Sequence, residues 1–396
     1  MKSCGNYFAG AAGAIFFSAF MCTSTALAVK VVATQADRIR GYEFTASNQA
    51  ETYYSGFTAG GTGTDIEVGD YDADGDNDYA IVAGGRIRIY DGSVNGEGPY
   101  WESYAYEFGD MVSGDFNNDG NDDLAASASG RLRAWYSPGS KSQEAGEDWW
   151  GADYGETVKG LSAGDFDSDG STDIAVPIGG RVRIWQPNTQ AGGAWDHWAG
   201  YDYWPDLGIT VAGDFLHNDG ELEVAALAAG RVRVWDPDTQ PGGGNDSGEV
   251  WWSESSSELG ASGTILAAGD FNGDGNDEIA AHYGFRIRNY EPATQAGGSA
   301  HGWYSTDSYY PSDFTAIAAG DIDGDEHLDI VASVGGRLRA WEPNGQTAAG
   351  TWDFLDQYAN GDALAIAFVS PIIPEPSSAL LLTMSTLAWI AIRRRL

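Results

Sequence analysis

Six stretches of the chain set oxygen-donor side chains at alternate positions of a short loop. They are Asp70, Asp72, Asp74 and Asp78; Asp115, Asn117, Asp119 and Asp123; Asp165, Asp167, Asp169 and Asp173; Asp214, Asp219 and Glu223; Asp270, Asn272, Asp274 and Glu278; and Asp321, Asp323, Asp325 and Asp329. The shared pattern is Asp-x-Asp/Asn-x-Asp-Gly-x-x-Asp/Glu. Alternate side chains on such a turn converge on one point, backbone carbonyls can join them, and the glycine permits a left-handed residue. Hard oxygens in a flexible cage select Ca²⁺ over Mg²⁺, which demands stricter octahedral geometry. The fourth loop has one residue inserted and lacks the third-position carboxylate, so it is the weakest site or binds nothing. The sixth has Glu326 in place of glycine, a smaller departure. A solvated Asp/Gly turn would explain one such loop, but not a set repeated in register.

An EF-hand shares the first six positions but needs Glu at the twelfth. Here the twelfth residues are Ile81, Ala126, Val176, Ala281 and Ala332. The flanks read as strands, so the EF-hand reading fails.

The elements that position these loops recur with them. Arg-x-Arg begins at Arg38, Arg86, Arg131, Arg181, Arg231, Arg286 and Arg337, and the last six follow the loops at a nearly constant distance. Each unit reads as a small apolar first strand (Ala316–Gly320), the acidic loop and a second strand (Asp329–Ser333). A glycine turn, the Arg-x-Arg third strand (Arg337–Trp341) and an aromatic fourth strand (Thr351–Leu355) complete it. Four-stranded units of about 50 residues predict propeller blades rather than a sandwich. Val29–Tyr42 matches strands two and three only, and Ala363–Val369 looks like an isolated first strand. Together they predict an all-β, seven-bladed β-propeller over 29–373, its last blade closed by both ends of the chain. A six-bladed ring with loose ends is the alternative.

The composition fits. The chain has 396 residues, 58 Asp and Glu against 21 Lys and Arg, 15 Trp, 20 Tyr and 55 Gly. That acid excess argues against nucleic acid and anionic membrane surfaces as partners. Both cysteines, Cys4 and Cys22, fall in residues 1–28, which read as a secretory signal ending Ala26-Leu27-Ala28. A lipoprotein reading through Cys22 is weaker, because bulky Met21 precedes it. Residues 374–396 order Pro374-Glu375-Pro376, an apolar run and Arg393-Arg394-Arg395. The run is short for a membrane span. This order resembles the PEP-CTERM sorting signal, which implies exosortase processing at the inner membrane and passage to the cell surface or extracellular matrix; a plain C-terminal anchor is the alternative.

The repeat itself resembles FG-GAP/VCBS repeats, those of integrin α-chain propellers. The residues that carry this are the Gly-Asp-Phe entry, the acidic loop, the Asp-Ile/Leu-Ala strand and the Gly-Gly-Arg-x-Arg strand. The resemblance implies Ca²⁺ in the hairpin between strands one and two. It implies no ligand, because such propellers serve adhesion, sugar binding and some carbohydrate-active enzymes.

The arginine pairs are expected to bind carboxylates or stack on aromatics of the next blade; a cationic ring gripping an acidic polysaccharide is the sharper alternative. The aromatic clusters read as outer-strand packing. Of these, Trp195, Trp198, Tyr201, Tyr203 and Trp204, with His197, form the first place to look for a glycan. His197, His217, His282, His301 and His327 show no metal-ligand spacing, and no nucleophile elbow occurs. The expected protein is a monomeric, non-catalytic adhesion or scaffold protein with polysaccharide or a surface protein as partner. A lectin comes second and a polysaccharide-acting enzyme third.

Overall fold

Six of the seven second strands open on an acid and continue in mostly apolar residues. In Asp123–Ala128, Asp173–Ile178 and Glu223–Ala228 all six residues are buried. Both faces are covered, so the run is continuous rather than alternating. The third strand does alternate: in Arg181–Trp185 the arginines are half-buried, while Val182, Ile184 and Trp185 are buried. Two glycines at positive φ, such as Gly179 and Gly180, make the turn between these strands.

The computed structural model describes residues 29–369 except 36, 46–47, 57–60, 62, 141–144, 157–159, 240–247, 257–258, 260–264, 284–285, 306–313, 323–326, 344–354 and 359–364. The proposed signal (1–28) and sorting segment (374–396) lie outside the described residues, as do Asp323, Asp325 and Glu326.

The strands form seven antiparallel four-stranded sheets. Blades one to six take their numbers from the acidic loops. Blade one, for example, runs Ile66–Gly69, Asp78–Ala83, Arg86–Asp91 and Trp101–Glu102. Blade seven joins the two ends of the described chain: Ile366–Val369 pairs antiparallel with Val29–Gln35, with Val31 opposite Phe368. Neighbouring first strands touch all the way round, and Ile366–Val369 touches the first strands of blades six and one. The first strands therefore line the axis of a closed seven-bladed β-propeller, with no free radial edge. Fourth strands are mostly two-residue pairings; in blade six the strand is Leu355–Tyr358, and residues 351–354 lie outside the described residues.

One contact recurs at the axis. A Cβ placed on the glycine before each loop would meet a side chain of the following blade. It would lie 2.9 Å from Asp122 at Gly69, 2.8 Å from Thr172 at Gly114, 2.6 Å from Leu222 at Gly164, 2.8 Å from Asp277 at Gly213 and 2.6 Å from Leu328 at Gly269. At Gly320 the neighbour is Phe368, from the strand that closes the ring. Glycine at this position lets adjacent blades approach each other at their narrow ends.

The arginines seal the seams between blades. The first of a pair donates to a carbonyl just past the fourth strand in most blades, as Arg38 does to Ser55 (2.9 Å), Arg86 to Ser103 (2.7 Å) and Arg286 to Ser305 (2.8 Å), while Arg131 pairs with Asp153 (3.4 Å). Arg288 of blade five reaches Glu254 of blade four (3.3 Å), whereas in blades two to four the second arginine pairs with an acid of its own blade: Arg133 with Glu147, Arg183 with Asp196 at 2.8 Å and Arg233 with Glu249. In these three blades it also stacks on an aromatic ring: Tyr106 (4.4 Å), Tyr154 (4.9 Å) and Trp204 (3.8 Å) respectively. Those rings belong to the preceding blade, not the next one as the sequence reading has it. Tyr106 and Tyr154 then donate to Glu147 and Asp196, both at 2.6 Å, closing the triads.

Arg183→Ala leaves Asp196 without its cation and Tyr154 without its stack, and should cost about 2–3 kcal/mol of stability in denaturant unfolding. A loss under about 0.5 kcal/mol contradicts the seam role. Gly164→Ala should cost about 1–2 kcal/mol through overpacking. Adding Leu222→Ala should recover about 1 kcal/mol of coupling in a double-mutant cycle, whereas strict additivity refutes the contact.

Candidate metal centres

Each loop hangs between a first strand on the axis and a buried second strand. The residue after the leading Asp is driven inward: Tyr71, Phe116, Phe166, Phe215, Phe271 and Ile322 are all buried. Its backbone amide donates to the last acid of the loop in five blades, Phe116 to Asp123 and Phe271 to Glu278 at 3.0 Å among them. The leading Asp accepts amides from across the turn, as Asp70 does from Asp74 (3.1 Å) and Gly75 (3.0 Å). The left-handed glycine is where the sequence puts it: Gly75, Gly120, Gly170, Gly220 and Gly275 all have positive φ. So do Ala73, Asn118, Ser168, Asn218 and Gly273, two residues earlier.

In blade one Asp70, Asp72 and Asp78 bring one oxygen each within 4.8 Å of one another; so do Asp165, Asp167 and Asp173 in blade three, and Asp270, Asp274 and Glu278 in blade five. Oxygens about 2.4 Å from a shared Ca²⁺ can be no farther apart than this. Asp74 is exposed and accepts the Asp76 amide instead (2.9 Å). Asp169 likewise accepts the Ser171 amide (2.8 Å). In blade five Asn272 donates to Glu278 (2.6 Å). In blade two Asp115, Asp119 and Asp123 do not draw together to that distance, and Asn117 donates to Asp119 (3.0 Å). In blade six Asp321 and Asp329 are described, and Asp329 accepts the Ile322 amide (3.0 Å).

Blade four differs in kind. Asp214 accepts the Asn218 and Gly220 amides and Asp219 that of Glu221. The groups that converge are His217, Glu223 and Asp236. The inserted residue swings His217 toward Glu223 (3.9 Å). Sequence reasoning missed Asp236, which follows the third strand. The readable signal is that a polar residue stands at this place in other blades, as Asp91, Gln186 and Glu291 do.

The last acids carry the electrostatic load. Asp78, Asp123, Asp173, Glu223 and Glu278 are buried. Burial, with the neighbouring carboxylates adding to it, pushes Asp78 and Asp123 up to about 7, Asp173 and Glu223 to about 8 and Glu278 to about 9. Asp78 is covered by the Tyr100 hydroxyl (2.5 Å) and Asp123 by the Ser137 amide (2.7 Å). Asp173 has no such cover: the Phe166 amide is the one donor that acts on it, and Oδ1 of Asp167 has no hydrogen-bond partner. Buried carboxylate oxygens short of donors fit a hard divalent cation, and Asp165, Asp167 and Asp173 are the residues to hold it.

The fold and the loops define a class, the seven-bladed β-propeller with acidic first hairpins. Residues 115–176, from the second loop into the third, match the FG-GAP-like repeat, so this propeller carries a repeat of that type. No curated protein matches the chain. Among solved structures, it resembles BBS1N in complex with ARL6DN at 13% identity and a TM-score of 0.54, over 81% of this chain and 89% of that one. It also resembles an Agrocybe aegerita lectin, described as recognising non-reducing terminal N-acetylglucosamine, at 11% identity and a TM-score of 0.56, over 87% and 95%. At such identities the likeness is one of fold.

A carboxyl whose folded pKa is raised keeps a proton that the unfolded chain has already released. Its stabilising effect is full below the ordinary carboxylate range and is lost as pH rises toward the folded value. In chelator, the unfolding midpoint should therefore fall by several degrees, roughly 5 °C, between about pH 5 and pH 8. A flat or rising midpoint over that window contradicts this account.

Proposed function

We propose that the protein is an exported propeller held together by Ca²⁺, acting as a non-catalytic adhesion or scaffold protein of the cell surface or extracellular polysaccharide matrix. The observation that carries the Ca²⁺ reading is the convergence of oxygen ligands on uncovered, buried Asp173, in a loop type repeated round the ring. A divalent ion offsets the mutual repulsion of three carboxylates and replaces the protons they otherwise retain. The hairpin that it fixes sits against the next blade, so binding there stiffens the axis of the ring. Export rests on residues 1–28 and 374–396 of the sequence.

The alternative, a lectin, is favoured by one observation. Most tryptophans are core, but Trp195, Tyr201 and Tyr203 of blade three are exposed, at 64%, 51% and 62%. Such faces suit sugar rings.

Ca²⁺ at about 100 times its Kd should stabilise the fold by about 2.7 kcal/mol per site. The measurement is a thermal melt at pH 7.5 in Ca²⁺ and in EDTA. A midpoint several degrees higher in Ca²⁺, and higher than in Mg²⁺, supports the reading. Identical melts would sink it.

A further inference from the structure

We propose that the blade-three loop does more than hold a structural ion: its cation is the floor of a pocket for one neutral sugar ring, bound through vicinal hydroxyls. This rests on the reading that the loops bind Ca²⁺.

The pocket, of about 320 Å³, lies between blades three and four. It is lined by Asp167 and Asp173, by apolar Phe166, Ile184, Trp198 and Pro237, and by His197. The volume suits a single pyranose. Asp173 is fully buried and meets no donor but the Phe166 amide, and Oδ1 of Asp167 lacks a hydrogen-bond partner, so the acceptors of this loop are short of donors where they line the pocket.

One residue sets blade three apart from blade one. In blades one to five the residue before the fourth-strand tryptophan donates its amide to the third strand: Tyr100 to Ile89 in blade one, His197 to Ile184 in blade three. The side chains at these equivalent places differ. The Tyr100 hydroxyl reaches down to cover Asp78 (2.5 Å). The His197 ring is shorter, stays half-exposed and stops 3.8 Å from Asp167. No side chain from this position covers Asp173, which lines the pocket. An ion held by Asp165, Asp167 and Asp173 keeps coordination positions on that side, since Ca²⁺ takes six to eight oxygens. Two adjacent hydroxyls of a sugar can fill them. The C–H face of the ring then lies against the apolar walls, and His197 is within reach of a third hydroxyl. Three carboxylates around one divalent ion leave the site net negative, which disfavours an acidic sugar.

The test uses the full chain and titrates methyl α-D-mannopyranoside, methyl β-D-galactopyranoside and methyl α-L-fucopyranoside by calorimetry, in Ca²⁺ and in EDTA. His197→Tyr restores the blade-one arrangement, covering Asp173 without removing a ligand of the ion. At least one glycoside should bind in Ca²⁺, lose binding in EDTA and bind at least about tenfold more weakly to His197→Tyr. The variant should keep the wild-type gain in melting temperature on adding Ca²⁺. Binding that survives EDTA or His197→Tyr overturns the proposal, as does Ca²⁺ uptake with no glycoside bound. If Ca²⁺ itself leaves the melt unchanged, the reading beneath the proposal fails instead.

Discussion

Seven wedge-shaped sheets must meet around one axis without a gap, and that closure governs the rest of the molecule. At the narrow ends the first strands lie so close that a side chain of one blade occupies the space where its neighbour would carry a Cβ. Glycine before each loop is the consequence. The same crowding covers both faces of the second strand, so its leading acid is buried between blades. A charge placed there needs a proton or a cation, because water is excluded. The acidic loops thus meet a demand set by the packing of the ring.

Closure also sorts the charge. Acids gather in hairpins between first and second strands, at the same place in each blade. The arginines of the third strands sit farther out, tied to carbonyls and acids, and in blades two to four the second of each pair also stacks on an aromatic of the blade before. The large net negative charge is therefore arranged: cationic seams hold the blades together, while unneutralised carboxylates collect where an ion can bridge them. A sugar-binding ring of free arginines finds no support, since the described pairs are spent on carbonyls, carboxylates and rings.

Function in such a frame is read from departures. Blades one, two and five add a second protein donor to the entry amide on their buried acids; blade three does not, and a pocket lies there. Blade four inserts a residue and brings a histidine to its acids. The repeated architecture makes both differences visible, because the equivalent backbone bonds are preserved around them.

Much of this was legible in the chain. The period of the Arg-x-Arg strands, the glycine-acid entries and the unmatched strands at either end were enough to infer seven blades and their closure, since strand patterning and turn chemistry are local properties. The acidic hairpins were legible for the same reason. What stayed hidden depends on neighbours distant in sequence. Serines at the ends of fourth strands (Ser55, Ser103, Ser253 and Ser305) recur visibly, yet only the fold shows that they accept the amide between the two arginines. That stacking falls on the preceding blade follows from the handedness of packing around the ring, which no spacing encodes. Sequence by itself determined the blades, their number and the oxygen-rich hairpins, because each is written within some fifty residues. The tertiary structure alone decided which acids are buried, which are covered and where a pocket opens, because those outcomes depend on how one blade's side chains reach another's backbone.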